Sequence, residues 1–234
     1  MNTNDPRGIP GNALVSPRAV LFDFDGTLAN TYPGIAASIN HIRARYGLPA
    51  LPEDEVRWNV GRGPAYLLQR TVPVGDNAAN VEAYKQHQLE VIHDGTRLFP
   101  DTLSTLQALH NLGLKLAICS NKPKMLTLDL LRYFQLASFF AAVVGPEDVA
   151  RPKPAPDMLH HGLNALDLTA NQALYVGDMV VDIETARGAG VRVWVVPTGS
   201  EERAALHAGR PDRLLENLAD LADLLGPRHG GAFA

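Results

Sequence analysis

The order of elements along the chain predicts an α/β protein: a doubly wound parallel sheet carrying one inserted α-helical domain. Three observations predict it. Short apolar runs rich in β-branched residues alternate with stretches of helical period, several runs end in small or acidic residues, and one interval near the start holds helical patterns only. Strands separated by helices of this length need crossover connections and therefore pair in parallel. In such sheets ligands bind at the carboxyl ends of the strands.

Taken in order, Ala19–Phe24 reads as the first strand, a continuous apolar run up to Asp23. The interval 31–96 follows, with helices expected over Tyr32–Tyr46 (Pro33 in its first turn), Glu53–Val60, Pro64–Val72 and Asn77–His93. It is either a cap over the strand ends or a long structural excursion, and its place directly after the first strand favours the cap. Asp101–Leu112 is a helix with leucines at 103, 106, 109 and 112 that stops before Gly113. Strand Lys115–Cys119, helix Lys124–Phe134 after Pro123, strand Ala141–Val144 and helix Pro156–Leu166 come next. Strand Ala173–Val176, helix Asp182–Ala189 stopped by Gly190, and strand Arg192–Val196 complete the pattern. The expected organisation is a tail (1–17), a sheet domain (18–30 and 97–225), a helical cap (31–96) and a flexible glycine-rich tail (226–234).

The chain has 234 residues, 21 basic and 25 acidic, for a formal charge of −4, with 46% apolar residues and one cysteine. That length supports a sizeable core. A single cysteine makes no internal disulfide, which points to a reducing compartment. Basic residues form no stripe; Lys122-Pro-Lys124 and Arg151-Pro-Lys153 are short and broken by proline, so nucleic acid is an unlikely partner class. Neither a signal-peptide core nor a run of ~20 apolar residues is present, so a cytoplasmic protein without membrane attachment is expected.

Chemistry concentrates at strand ends. Asp23-Phe-Asp25-Gly26-Thr27-Leu28 sets two carboxylates one residue apart after an apolar strand, with Gly26 permitting a sharp turn. One carboxylate can attack phosphorus while its neighbour moves protons to the leaving oxygen and from water. Ser120 and Asn121 follow the second long strand and offer a hydroxyl and an amide to phosphate oxygens, although the pair also suits a turn or helix cap. Lys153 stands between prolines in Arg151-Pro-Lys-Pro-Ala-Pro156. Asp178 and Asp182, in Gly177-Asp-Met-Val-Val-Asp182, lie four apart and can face one point, where carboxylates and water suit Mg²⁺.

Together DFDGTL, the SN pair, the KPAP lysine and GDMVVD resemble the four motifs of the haloacid dehalogenase-like hydrolase superfamily over residues 19–225, which implies a Rossmann-like core. The insert resembles that superfamily's small helical cap. Ser120-Asn-Lys-Pro123 with Val60-Gly-Arg-Gly63 looks most similar to the phosphoglycolate phosphatase branch. The resemblance implies Asp23 as nucleophile and Asp25 as general acid/base. Ser120 and Lys153 would hold the phosphate. It implies Mg²⁺ on the Asp23 carboxylate, the Asp25 backbone carbonyl and Asp178, with Asp182 behind them. Backbone donors at Gly26, Thr27 and Asn121 would face substrate. In the cap, Gly61 and Gly63 would let a loop approach the substrate closely, with Arg62 meeting a carboxylate or second anionic group; a turn between two helices with a solvated arginine suits the same residues.

Departures from that pattern are Asn30, where an acid is usual at the cap hinge, and Pro197-Thr-Gly199, where an aromatic-glycine turn is expected. The expected activity is Mg²⁺-dependent hydrolysis of a small phosphomonoester, first 2-phosphoglycolate, by a monomer or homodimer. The rivals are a β-phosphoglucomutase-like phosphomutase, a pyrophosphatase or nucleotidase of the same superfamily, and a non-catalytic interaction protein. Cys119 does not make a cysteine phosphatase, because Met125 stands where the phosphate-binding arginine is needed, and His160-His161 lacks the spacing to complete a zinc site.

Overall fold

A computed structural model describes residues 16–226. Apart from residues 16, 17 and 226, both expected tails lie outside the described residues. The main sheet has six parallel strands: β1 (Ala19–Phe22), β4 (Lys115–Cys119), β5 (Phe140–Val144), β6 (Ala173–Gly177), β7 (Arg192–Val195) and β8 (Arg213–Leu214). Their spatial order is β5-β4-β1-β6-β7-β8. A two-stranded antiparallel ribbon joins β2 (Ala29–Asn30) to β3 (Arg97–Leu98).

Side chains alternate along β1, so Val20 and Phe22 join one core while Ala19 and Leu21 join the other. The first core is closed by α5 (Thr102–Asn111), α6 (Lys124–Tyr133) and α10 (Asp220–Leu225). The second is closed by α7 (Asp157–Leu166), α8 (Val180–Ala189) and α9 (Arg203–Ala208). With both faces covered, β1 is completely buried, which is why its sequence is uninterrupted hydrocarbon.

Between β2 and β3 the chain forms α1 (Tyr32–Arg45), α2 (Glu53–Arg57), α3 (Pro64–Thr71) and α4 (Asn77–Val91), packed on a third core that includes Ile35, Ile39, Ile42, Leu67, Leu68 and Tyr84. The last predicted residues of the second and fourth helices of the insert are turn instead, because Val60 and His93 begin loops that meet the sheet domain. The backbones of α1 and the turn before β3 touch: a Cβ on Gly95 would lie 2.4 Å from Gly34 Cα. None of the described helices is long and apolar enough to cross a membrane.

Strand order decides where a site can form. The chain runs from β1 to β4 and β5 on one side, then crosses back to β6 on the other, so β1 stands between the two halves. The carboxyl ends of β4, β1 and β6 deliver Ser120, Asp23 and Asp178 to one place.

Candidate active site

Ordered β1 stops at Phe22, two residues earlier than the strand expected over Ala19–Phe24, yet Asp23 N–H still donates to Val176 O at 2.9 Å. The chain then turns at Gly26, whose φ of +87° favours glycine, and a Cβ there would lie 2.3 Å from Asp178 Oδ2. Gly199 meets the same oxygen, with a hypothetical Cβ at 1.7 Å. These two glycines cradle Asp178, whose Oδ1 accepts from Thr27 Oγ1 at 2.6 Å.

Lys153 Nζ lies 3.0 Å from Asp23 Oδ1 and 2.7 Å from Asp182 Oδ1. Tyr175 OH supports it at 3.0 Å. Asp182 sits in the first turn of α8 and its Oδ2 accepts from the backbone N–H groups of Asp178 (3.1 Å) and Met179 (3.0 Å). All four charged groups are buried. Burial pushes the Asp23 carboxyl up to about 6 against the pull of Lys153. It raises Asp178 well above the usual range, with Asp182 and Asp23 adding to the effect. Burial alone would lower Lys153, but Asp182 and Asp23 outweigh it and hold the ammonium charged.

Three carboxylates therefore face one ammonium. Oxygens of Asp23, Asp178 and Asp182 come within 4.8 Å of one another, a group that could hold a metal ion. Asp178 Oδ2 is buried without a hydrogen-bond donor, whereas both Asp182 oxygens are engaged, so Asp23 and Asp178 are the better-placed ligands.

Above this floor lies a cleft open to solvent. Asp23, Asp25 and Ser120 line it below, and Val60, Gly61, Gly63 and Leu67 above. Asp25 accepts from Thr31 Oγ1 at 2.7 Å and pairs with Lys122 Nζ at 3.1 Å. The insert is tied to the sheet domain by Asn121 Nδ2 donating to Gly61 O (3.0 Å), His93 Nε2 against Asp129 Oδ2 (2.6 Å), and Arg57. The Arg57 guanidinium donates to the carbonyls of Thr198 and Gly199 and stacks on Tyr32.

The family model for haloacid dehalogenase-like hydrolases matches residues 20–196. The chain belongs to that family. A plasmid-borne phosphoglycolate phosphatase of Cupriavidus necator is 34% identical over 215 residues, covering 89% of this chain and 93% of that one. The phosphoglycolate phosphatase of Pectobacterium atrosepticum is 32% identical, covering 91% and 94%. The crystal structure of a predicted phosphoglycolate phosphatase from Haemophilus somnus superposes with a TM-score of 0.83 at 26% identity, covering 91% of this chain and all of that one. This hydrolase is accordingly a phosphatase of the haloacid dehalogenase-like type.

Several expected contacts differ in the folded hydrolase. Gly26 and Thr27 N–H donate within the turn, to Ala29 O and Phe24 O, so they do not point at a substrate. The Asn121 side chain is engaged with Gly61 O and with the backbone of Lys153 on both its atoms, which makes it a clamp between loops instead of a phosphate donor. Arg62 is exposed, 5.7 Å from the Tyr66 ring centroid, and is not among the residues lining the cleft, although its glycine neighbours are. Asp178 precedes α8 and Asp182 lies in its first turn, and their carboxylates do meet at one point, within 4.8 Å together with Asp23. Cys119 is buried with its thiol pushed up to about 12, and His160 and His161 are exposed.

Two residues escaped the sequence reading. Lys122 is buried in the cleft wall, and Arg57 bridges the insert to the sheet domain; in both cases the partner is far along the chain, at Asp25 and at residues 198 and 199. The KP dipeptide after Ser120-Asn121 was the available signal for Lys122, since proline restricts the residue before it.

Proposed function

We propose that this phosphatase hydrolyses a small phosphorylated acid, first 2-phosphoglycolate, in the cytoplasm by a Mg²⁺-dependent route through an aspartyl-phosphate on Asp23. The observation that carries the reading is the Asp23 carboxylate itself: at the end of the central strand, fixed by Lys153, and open to the cleft beside Asp25. Residues 31–96 act as the cap over the sheet domain (18–30 and 97–225), hinged at the Asn30–Arg97 pair.

In this reading an Asp23 oxygen attacks phosphorus as the ester bond breaks, and the leaving alkoxide takes a proton from Asp25. Water then gives a proton to Asp25 and attacks the phosphoaspartate, releasing phosphate and restoring Asp23. Lys153 and Ser120 hold the phosphoryl oxygens in line for attack. The donors at the floor fit a hard cation, because they are oxygens only and Asp178 Oδ2 is buried without a partner. When bound by the Asp23 carboxylate, the Asp25 backbone carbonyl and Asp178, Mg²⁺ would supply the positive charge that offsets three carboxylates and an incoming phosphate.

Phosphate release from a panel of 2-phosphoglycolate, hexose phosphates, nucleotides and pyrophosphate tests the proposal. Turnover of 2-phosphoglycolate that stops with EDTA and returns with Mg²⁺ is expected. Sugar-phosphate isomerisation without net phosphate release would identify a mutase, and undiminished turnover in EDTA would remove the metal.

A further inference from the structure

Among the residues lining the cleft, Lys122 is the one cationic side chain. Its side chain is 2% exposed, and its single carboxylate partner among the described residues is Asp25, at 3.1 and 3.4 Å to the two oxygens. A buried ammonium has three N–H groups to satisfy and is costly to leave partly paired. Its position is also built. Pro123 restricts the backbone of Lys122, the Lys122 N–H reaches Ser120 Oγ at 3.3 Å, and Asn121 is clamped on both sides.

The wall contributed by the insert is mostly hydrocarbon from Ile35, Val60 and Leu67; Tyr84 adds a phenol hydroxyl that can donate, but no positive charge. Arg62 lies outside it. A negative charge on the organic part of a substrate therefore has one cationic partner among the lining residues, and Lys122 sits against Asp25, the group placed at the leaving oxygen. The geometry points to Lys122 as the specificity residue that binds a carboxylate one carbon from the ester oxygen, selecting phosphate esters of α-hydroxy acids. This inference rests on the proposed hydrolysis of a small phosphorylated acid and replaces the cap arginine with a residue of the sheet domain as the carboxylate's partner.

The test compares kcat/KM for 2-phosphoglycolate and for its neutral near-isostere 2-phosphoglycolamide. In the wild-type enzyme the acid is favoured by roughly tenfold to a hundredfold, the usual worth of a hydrogen bond to a charged group. Lys122→Met brings that ratio close to one, whatever it does to the absolute rates, and Lys122→Arg keeps a preference for the acid. A Met variant that slows both substrates by one common factor shows that Lys122 only positions Asp25, and overturns the inference. If the Met variant does not fold, the wild-type ratio decides: equal turnover of acid and amide overturns the inference alone. Turnover of neither overturns the phosphoglycolate reading beneath it.

Discussion

On the floor of the cleft Asp23, Lys153, Asp178 and Asp182 are buried together at hydrogen-bonding distances, whereas the roof over them is made by Val60, Leu67, Tyr84 and two glycines. The floor is built from the ends of β1 and β6, the connection between β5 and α7, and the first turn of α8, and fixes each charged group through several partners. The roof comes from the helical insert, which reaches the sheet domain through contacts such as Arg57, Gly61 O and His93. Charge is concentrated where phosphorus would react, and shape without charge where the organic remainder would lie. Such a division lets one chemistry serve many substrates, because the roof can change while the floor stays.

If the division is right, floor substitutions act on turnover and stability, and roof or rim substitutions act weakly. The largest effect is expected for Asp23→Asn, a near-isosteric change that removes the proposed nucleophile: turnover falls by ~10⁴-fold or more with the unfolding transition retained. Steady-state phosphate release and circular dichroism check it, and a variant keeping a tenth of wild-type activity would contradict the assignment.

Next comes Asp182→Ala, which leaves Lys153 short of one anion and two backbone N–H groups without their acceptor. Breaking a buried pair of this kind costs about 3–5 kcal/mol, read as a lowered urea midpoint. A loss below about 1 kcal/mol would place the floor's rigidity elsewhere.

A smaller effect separates the electrostatics from the packing. Asp23 titrates near 6 in the fold, raised from 3.8, so the folded state without cation binds the proton more tightly than the unfolded chain. Its contribution to stability is present below the unfolded value and is lost as pH rises through about 6. A divalent cation binds the ionised carboxylates, so adding Mg²⁺ is expected to raise Tm more at pH 8 than at pH 5. Equal shifts at both values, by scanning calorimetry, would break the link between the buried carboxylates and the metal. The smallest effect belongs to the rim: Arg62→Ala is expected to change kcat/KM for 2-phosphoglycolate less than about threefold, since Arg62 lies exposed over Tyr66.

Much of the floor was legible in the sequence because Asp23 and Asp178, with Ser120 beside them, follow buried apolar strands, and a strand end has a known position in a parallel sheet. Asp23, Ser120 and Asp178 are three such ends. What the sequence did not carry were the partners. Asn121 reads as a donor free for substrate until Gly61 and Lys153 are seen to occupy it, and Lys122 reads as a loop lysine until Asp25, 97 residues away, is found beside it. Short elements were equally silent: β2, β3 and β8 have two residues each, too few to show a period, and α9 and α10 have six. The insert was visible as a run of helices, but which of its atoms face the cleft depends on how it packs.

The two-residue ribbon of β2 and β3 has a consequence for how such a protein diversifies. Asn30 and Arg97 are paired neighbours, so the chain leaves the sheet domain and re-enters it at almost the same point. Sixty-six residues between them can be lengthened, shortened or exchanged without altering the distance the remaining backbone must span. The ribbon is a docking port: any module whose ends meet could be spliced there, and the catalytic strands would not register the change.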